Sequence, residues 1–406
     1  MACGDTSSIC LPIEAERSQH APLTRVALML FAIAAGVSVA NIYCAQPLLD
    51  VLAQEFGFSK SSVGSVISVT QIGYALGLLF IVPLGDVLNR RGLVLSQLFL
   101  SAVALAIVSF AHTKQMLLIG LFLVGLLAVV VQVLVAFAAS LAPPEKRGSA
   151  VGTVTSGVVL GILLARVVAG AVSDLGGWRA VYIASMLLTL LLAGALTRIL
   201  PNSKAEMRSS YAQLLRSTFA LYRTTPILRI RAALAFLIFA AFSALWTSLV
   251  LPLSEPPHPL SRTAIGLFGL AGVVGAIAAG RAGHLADQGR GQWTTGCGLA
   301  LLLISWSCIA CLHRSFPALV IGITFLDFAV QAVHVTNQAM IFAARPEAKS
   351  RLVGAYMVFY SLGSGTGALA ATKAYAAFRW SGVCMLGACI STVALGLWAL
   401  TTRWSE

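Results

Sequence analysis

Twelve apolar stretches, each close to the roughly 20 residues that a helix needs to cross a bilayer, follow one another along this chain. They run near 25–47, 62–84, 93–111, 116–142, 149–172 and 180–200, then near 232–252, 263–282, 293–312, 316–343, 352–377 and 381–402. This pattern predicts an all-α polytopic membrane protein with 12 transmembrane helices and little room for an extramembrane domain. The organisation expected is a tail at 1–24, a six-helix bundle at 25–200, a linker at 201–231, a second six-helix bundle at 232–402 and a short tail at 403–406. Within the linker, Tyr211, Leu214, Leu215, Phe219 and Tyr222 fall on one helical face opposite Arg216 and Arg223. Those positions predict an amphipathic helix on the membrane surface, with a disordered linker as the alternative.

The two halves echo each other. Pro144-Glu145 recurs as Pro346-Glu347, Gly152 as Gly354, Gly161 as Gly363 and Trp178 as Trp380, all at an offset of 202, and Asp86 recurs as Asp287 at 201. An even number of spans per half gives both the same orientation, so the halves are expected as parallel six-helix repeats about an axis along the membrane normal.

Composition narrows the function. With 58% hydrophobic and 10% charged residues the chain falls far below the roughly 25% charge of soluble domains. That excludes a soluble enzyme, a nucleic-acid reader and a disordered protein. The net charge of +13 sits in short loops. Counting Arg229 and Arg231 among the linker cations, 19 Lys and Arg fall on the side holding both termini and 7 on the other, with Arg166 inside a span. This bias places both termini in the cytoplasm. The first 24 residues carry Asp5, Glu14 and Glu16 and do not read as a cleaved signal peptide. Cys308-x-x-Cys311 lies within an apolar run, without a second pair or a His cluster, and is expected on a lipid-buried helix face. No phosphate-binding loop, catalytic triad or metal constellation stands out, so neither an enzyme nor a cofactor is expected.

Several motifs resemble the major facilitator superfamily. Leu84-Gly85-Asp86-Val87-Leu88-Asn89-Arg90-Arg91 is similar to that family's loop after span two, keeping its Asp and Arg pair but losing glycines at Val82 and Asn89 and an Arg at Val87. Gly283-His284-Leu285-Ala286-Asp287-Gln288-Gly289-Arg290 is the nearer copy. Asn41-Ile42-Tyr43-Cys44-Ala45-Gln46-Pro47-Leu48-Leu49 resembles bacterial inner-membrane members assigned to drug–proton antiport or sugar efflux. Leu121 stands where the drug-antiporter branch has Arg, and Gly157–Arg166 lacks that branch's span-five Pro. The resemblance implies that spans one, four, seven and ten line a cavity, that Asp86, Arg90, Arg91, Asp287 and Arg290 form a cytoplasmic gate, and that a monomer suffices. A carboxylate at a helix N-terminus makes such a latch physically sensible. The competing reading of Arg90 and Arg91 is an orientation signal alone.

Asp327 is the most informative position, about 10 residues into span ten, or roughly 15 Å. Thr324, Asp327, Gln331, His334 and Gln338 share one helical face. A charge at that depth normally faces water or a partner and marks an ion or substrate path; a structural hydrogen-bond network between helices is the competing reading. Arg166 is the natural counter-charge for Asp327 or for an anionic substrate. Tyr43, Gln46 and Asp50 on span one, with Asn41, Gln132 and Trp246, add polar groups, and packing is the default role of Gly157-x-x-x-Gly161 and Gly363-x-x-x-Gly367. The function expected is secondary transport of a small molecule by alternating access across a bacterial inner membrane, as proton-coupled efflux. An uncoupled facilitator or sugar-efflux protein is the alternative, and a transporter-like sensor is the alternative of another class. No nucleic-acid partner is expected.

Overall fold

The computed structural model describes residues 24–143, 146–200, 210–256, 259–345 and 349–402, and only the backbone at 276, 278, 279, 287, 349 and 350. The tails, the Pro-Glu pairs at 144–145 and 346–347 and the Asp287 side chain lie outside the described residues. Among those described, every regular element is helical, and ten elements are long and apolar enough to cross a membrane. The first half contains α1 (Arg25–Tyr43), α2 (Leu49–Phe56), α3 (Ser65–Phe80), α4 (Arg90–Ser109), α5 (Lys114–Leu127), α6 (Val130–Leu141) and α7 (Arg147–Ile199). After α8 (Tyr211–Thr224) come α9 (Pro226–Ser248), α10 (Val250–Leu253), α11 (Arg262–Leu267), α12 (Gly272–Leu285), α13 (Gly291–Ile309), α14 (Phe316–Ala344) and α15 (Lys349–Thr401).

Local chemistry fixes the helix ends. Thr24, Asn89, Thr113, Ser261 and Ser315 each accept an amide of the first turn with a side-chain oxygen, the usual way to satisfy an orphaned N–H. Helix α2 stops at Gly57, whose φ of 65° favours glycine. Helices α7 and α15 are 53 residues each, about 80 Å if straight and more than two bilayer crossings. Each is broken: α7 at Gly177 (φ 77°) and α15 at Phe378–Arg379, where Arg379 takes φ 55°. The chain reverses at Gly177, because Trp178 Nε1 donates to Glu55 at 2.5 Å while the Thr197 carbonyl accepts from Arg91 at 2.7 Å beside the start of α4. All these turns gather at two ends of the bundle, called here the terminal end (Thr24, Arg90, Pro226 and Thr402) and the distal end (Gly57, Gly177, Glu255 and Arg379).

The described part of the linker, from residue 210 onward, carries the helix expected there. Helix α8 buries Leu214, Thr218 and Leu221 against the bundle and leaves Phe219 exposed, so the face turned to protein differs from the one expected to meet lipid. Helix α9 starts at Pro226, six residues before the boundary at 232. Arg231, counted above as a loop cation, is therefore 2% exposed inside a helix.

The halves meet closely at the distal end. A Cβ on Gly64 would press on the Ala368 carbonyl at 2.6 Å, and the Ser68 hydroxyl donates to the Gly365 carbonyl at 2.6 Å. On the opposite flank, Gly170 of α7 and Gly266 of α11 approach the Arg262 and Arg166 carbonyls so closely that a Cβ on either would collide. Ion pairs rim this seal: Arg262 reaches Asp50 (3.0 Å) and Asp174 (3.7 Å), and Lys60 reaches Glu255 (2.6 Å), which also holds Arg379. At the terminal end, by contrast, a Cβ on Gly148, Gly152, Gly280 or Gly354 would meet nothing within 4 Å.

Glu255 makes part of that seal sensitive to acid. Burial alone would raise its pKa, but hydrogen bonding and charge from Lys60, joined by Arg379, hold the carboxyl below its usual range. A depressed pKa contributes stability that is present above the unfolded value, about 4.3 for Glu, and is lost as pH falls through the folded one. The closed distal end should thus persist at neutral pH and loosen modestly below about pH 4. Glu255→Gln should loosen it already at pH 7. Pulsed spin–spin distances between labels at Ser59 and His313, read in both proteins across pH, check this; a distribution indifferent to both changes would remove Glu255 from the seal.

Candidate functional site

The centre of the bundle is built around Arg166. Pro47, which has no N–H to donate, ends α1 in a short 3₁₀ turn at Gln46–Leu48. The Gln46 side-chain oxygen in that turn accepts from Arg166 Nε at 2.6 Å. The guanidinium lies 3.9 Å from the Trp246 ring centroid, with Tyr43 at 5.3 Å and Phe242 at 5.6 Å, an aromatic enclosure suited to a cation. Arg166 is 3% exposed and its Nη2 finds no hydrogen-bond partner.

Trp246 also donates through Nε1 to Asp327 Oδ1 at 3.1 Å, and Asp327 is likewise 3% exposed. Arg166 and Asp327 thus share one indole, the cation over its face and the carboxylate at its edge, rather than forming a direct ion pair. Below them the Tyr43 and Tyr360 hydroxyls are hydrogen-bonded across the two halves. Gln132 Nε2 reaches the Tyr74 hydroxyl at 3.5 Å, and His334 Nδ1 lies 3.0 Å from the Tyr356 hydroxyl with its ring edge-on to Phe239.

A wall without side chains packs against both charges. Gly266, Gly269, Gly272 and Gly275 recur every third residue through α11, a 3₁₀ turn at Phe268–Ala271 and α12. In 3₁₀ geometry residues i and i+3 eclipse, so a three-residue repeat forms one stripe there. Gly266 and Gly269 face Arg166; a Cβ on Gly272 would stand 3.3 Å from Asp327 Oδ2, and one on Gly275 3.0 Å from the Asp327 carbonyl and 3.2 Å from Gln331 Cγ.

Of the residues singled out in the sequence, Arg166, Asp327, Tyr43, Gln46 and Trp246 come together, Gln331 lies against the glycine wall at Gly275, and Gln132 and His334 meet Tyr74 and Tyr356 instead of either charge. Gln338 is half-buried with no polar partner brought to it in this cluster. Asn41 is not brought in: it lines an apolar groove between α1 and α7. Asp50 pairs with Arg262 at the distal rim instead. At the terminal end Asp86 meets Arg90 at 3.6 Å, Arg90 Nε donates to the Gly85 carbonyl, and Arg91 is held by Thr197, so both arginines are anchored within the first half. Asp86 shares a small cavity with Arg351 of α15, while Arg290 is exposed. Gly157 and Gly161 pack on Ala32 and Gly36, and Gly363 and Gly367 on Phe236 and Ala240. Each half thus carries a glycine pair four residues apart packed on the backbone of a neighbouring helix. Cys308 and Cys311 are free thiols, and no group of three His, Cys, Asp or Glu among the described residues could hold a metal.

Sequence reading missed Tyr356, Tyr360, Asn337 and the glycine wall. The run Gly266-x-x-Gly269-x-x-Gly272-x-x-Gly275 was a visible signal, although its period of three belongs to neither an α-helix nor a strand.

An all-helical bundle sealed at one end, with a buried carboxylate and guanidinium at its centre, defines a multi-pass membrane transporter rather than an enzyme. The family model described as Major Facilitator Superfamily matches residues 31–293 and 232–404, and the chain belongs to that family. It is 47% identical over 376 residues to an uncharacterized transporter, YgaY, of Escherichia coli O157:H7, covering 93% of this chain and 95% of that one. A probable transporter of Streptomyces coelicolor is 34% identical over 361 residues, covering 89% and 84%. Among solved structures, an inward-facing bacterial homolog of the human lysosomal transporter Spinster superposes with a TM-score of 0.77 at 15% identity, covering 93% of this chain and 96% of that one.

Proposed function

We propose that this protein exports a small molecule by alternating access in exchange for protons, with Asp327 as the proton-carrying group. We infer 12 spans in two parallel six-helix halves, α7 and α15 each supplying two, with the terminal end in the bacterial cytoplasm. The 19-to-7 distribution of basic residues supports that orientation even after Arg231 is removed from the loop count. The observation that carries the functional reading is the placement of Asp327: a carboxylate 3% exposed at bundle depth, hydrogen-bonded to Trp246 and facing a glycine wall. A charge there is costly unless it is used or compensated.

In this reading the distal end is closed and the cytoplasmic end open. Substrate enters from the cytoplasm against Arg166, Gln46, Tyr43, Gln132, Gln331, His334 and Gln338, while Asn41 contributes from behind α1. The halves then rock, the seal at Gly170 and Gly266 parts, and Asp86, Arg90, Arg91, Asp287 and Arg290 latch the cytoplasmic side. Proton uptake by Asp327 from outside weakens its attraction for the Arg166 charge and resets the centre. No cofactor is needed, and one chain suffices.

Proteoliposomes carrying an internal pH dye and an imposed proton gradient test the coupling. A panel of drugs, sugars and amino acids should include compounds that drive a proton flux when added. If radiolabelled substrate crosses with no pH signal, coupling is wrong and an uncoupled facilitator takes its place. Binding without any movement would favour a sensor.

A further inference from the structure

A second polar cavity, of about 390 Å³, opens at the terminal end of the second half, far from the Arg166–Asp327 centre. It lies between the start of α9, the start of α13 and the ends of α14 and α15. Its polar walls come from Thr225, Arg231, Gln292, Arg345 and Thr401, and among the described residues lining it none is acidic.

Three features make it electropositive. Arg231 is 2% exposed, with Nη1 held by Thr295 Oγ1 at 3.1 Å and Asn337 Oδ1 at 3.2 Å, while its Nε has no partner. Arg345 sits half-buried at the opposite wall, its Nη2 donating to the Thr224 carbonyl at 3.3 Å. Thr225 is the N-cap residue of the 23-residue α9, yet its side chain caps nothing, and its Oγ1 is buried without a partner. An N-cap threonine ordinarily accepts an amide of the first turn; here that contact is missing in a residue that is 4% exposed and lines the cavity. Buried groups that forgo hydrogen bonds are costly, and the two residues that carry them line one cavity at a helix N-terminus, where the backbone favours an anion.

We propose that this cavity binds a phosphate-bearing anion, with the Arg231 and Arg345 guanidinium groups as its main donors and Thr225 beside them at the start of α9. Forked guanidinium donors suit phosphate oxygens, and the volume lies within the range of small-molecule sites. The cavity sits where the ends of membrane helices meet the bilayer surface, so the phosphate can come from an anionic lipid headgroup or from solution. The Thr295 and Asn337 contacts hold Arg231 rigid, and Asn337 in turn reaches the Tyr356 hydroxyl at 3.5 Å, the same hydroxyl that meets His334.

The test uses the purified full-length protein. Native mass spectrometry with added phosphatidylglycerol or phosphatidylcholine reports retained lipid, and a thermal-shift titration with inorganic phosphate reports the free anion. Thr225→Val and Arg345→Gln alter the cavity wall without removing the buried Arg231 contacts. Saturable phosphatidylglycerol binding that weakens about tenfold in each variant, with little phosphatidylcholine retained, supports the site and identifies the lipid as its source. Inorganic phosphate that stabilises the wild type and not the variants supports it with the free anion as source. Absence of both signals, equal retention of the two lipids, or binding unchanged in both variants overturns it.

Discussion

Asp327→Asn should reduce gradient-driven transport to the level of protein-free vesicles while leaving substrate binding and substrate–substrate exchange in place. The amide is isosteric and still accepts from Trp246 Nε1 through its oxygen, so the packing of α14 against α9 survives. What it loses is the ability to take up and release a proton. If Asp327 served only as a helix-to-helix hydrogen bond, the substitution would leave proton-driven uptake unchanged, and counterflow measured beside gradient-driven flux separates these outcomes. A thermal signature accompanies the kinetic one. Removing one member of a buried charge pair typically costs about 3–5 kcal/mol because the other is left uncompensated. Arg166→Gln in the Asp327→Asn background should therefore cost less than the sum of the single changes, even though the two side chains meet only through Trp246. Strict additivity in melting temperature would mean that the two charges do not sense each other.

Gly266→Val should hold the distal end open. A side chain there collides with the Arg166 carbonyl, and restoring van der Waals separation requires α11 to retreat from α7 by about 1 Å or more. Within a packed bundle such an insertion costs about 1–3 kcal/mol, and because the contact is between halves, the cheapest relief is to part them. The expected result is a longer Ser59–His313 spin-label distance, loss of transport, and ordinary folding of the protein. Gly152→Val and Gly354→Val are the matched controls: they meet open space at the terminal end and should leave the distal distance unchanged. A Gly266→Val protein with the wild-type distance distribution and full transport would show that the glycine contact is not part of the seal.

Much of the fold was legible because hydropathy at helix length is a strong signal in lipid, where backbone groups must be satisfied within each segment. The polar stripe from Asp327 to Gln338 was legible for the same reason: in a helix, positions three and four apart share a face. Arg231 was misread because it follows Arg229 closely and precedes the most apolar part of α9, a pattern shared by loop cations and by the first turns of a membrane helix. Its burial depends on Thr295 and Asn337, 64 and 106 residues away, which no local pattern reveals. Gln46 was flagged, but that it holds Arg166 followed only from the turn at Pro47. Asn41 and Tyr43 are two residues apart and both looked polar at depth; helical rotation sends one to the outer groove and the other to the centre.

Helix α8 touches both halves. Its first residue, Tyr211, donates to the Phe80 carbonyl at 2.8 Å, and Tyr222, eleven residues on, donates to the Ala355 carbonyl at 2.6 Å. Those two anchors stand about 16 Å apart along a rigid rod. Any movement that carries α3 away from α15 at this end must therefore bend the rod or first break the more exposed bond at Tyr211. The segment that joins the halves thus acts as a brace, limiting how far they can part at this end independently of any chemistry at Arg166 or Asp327.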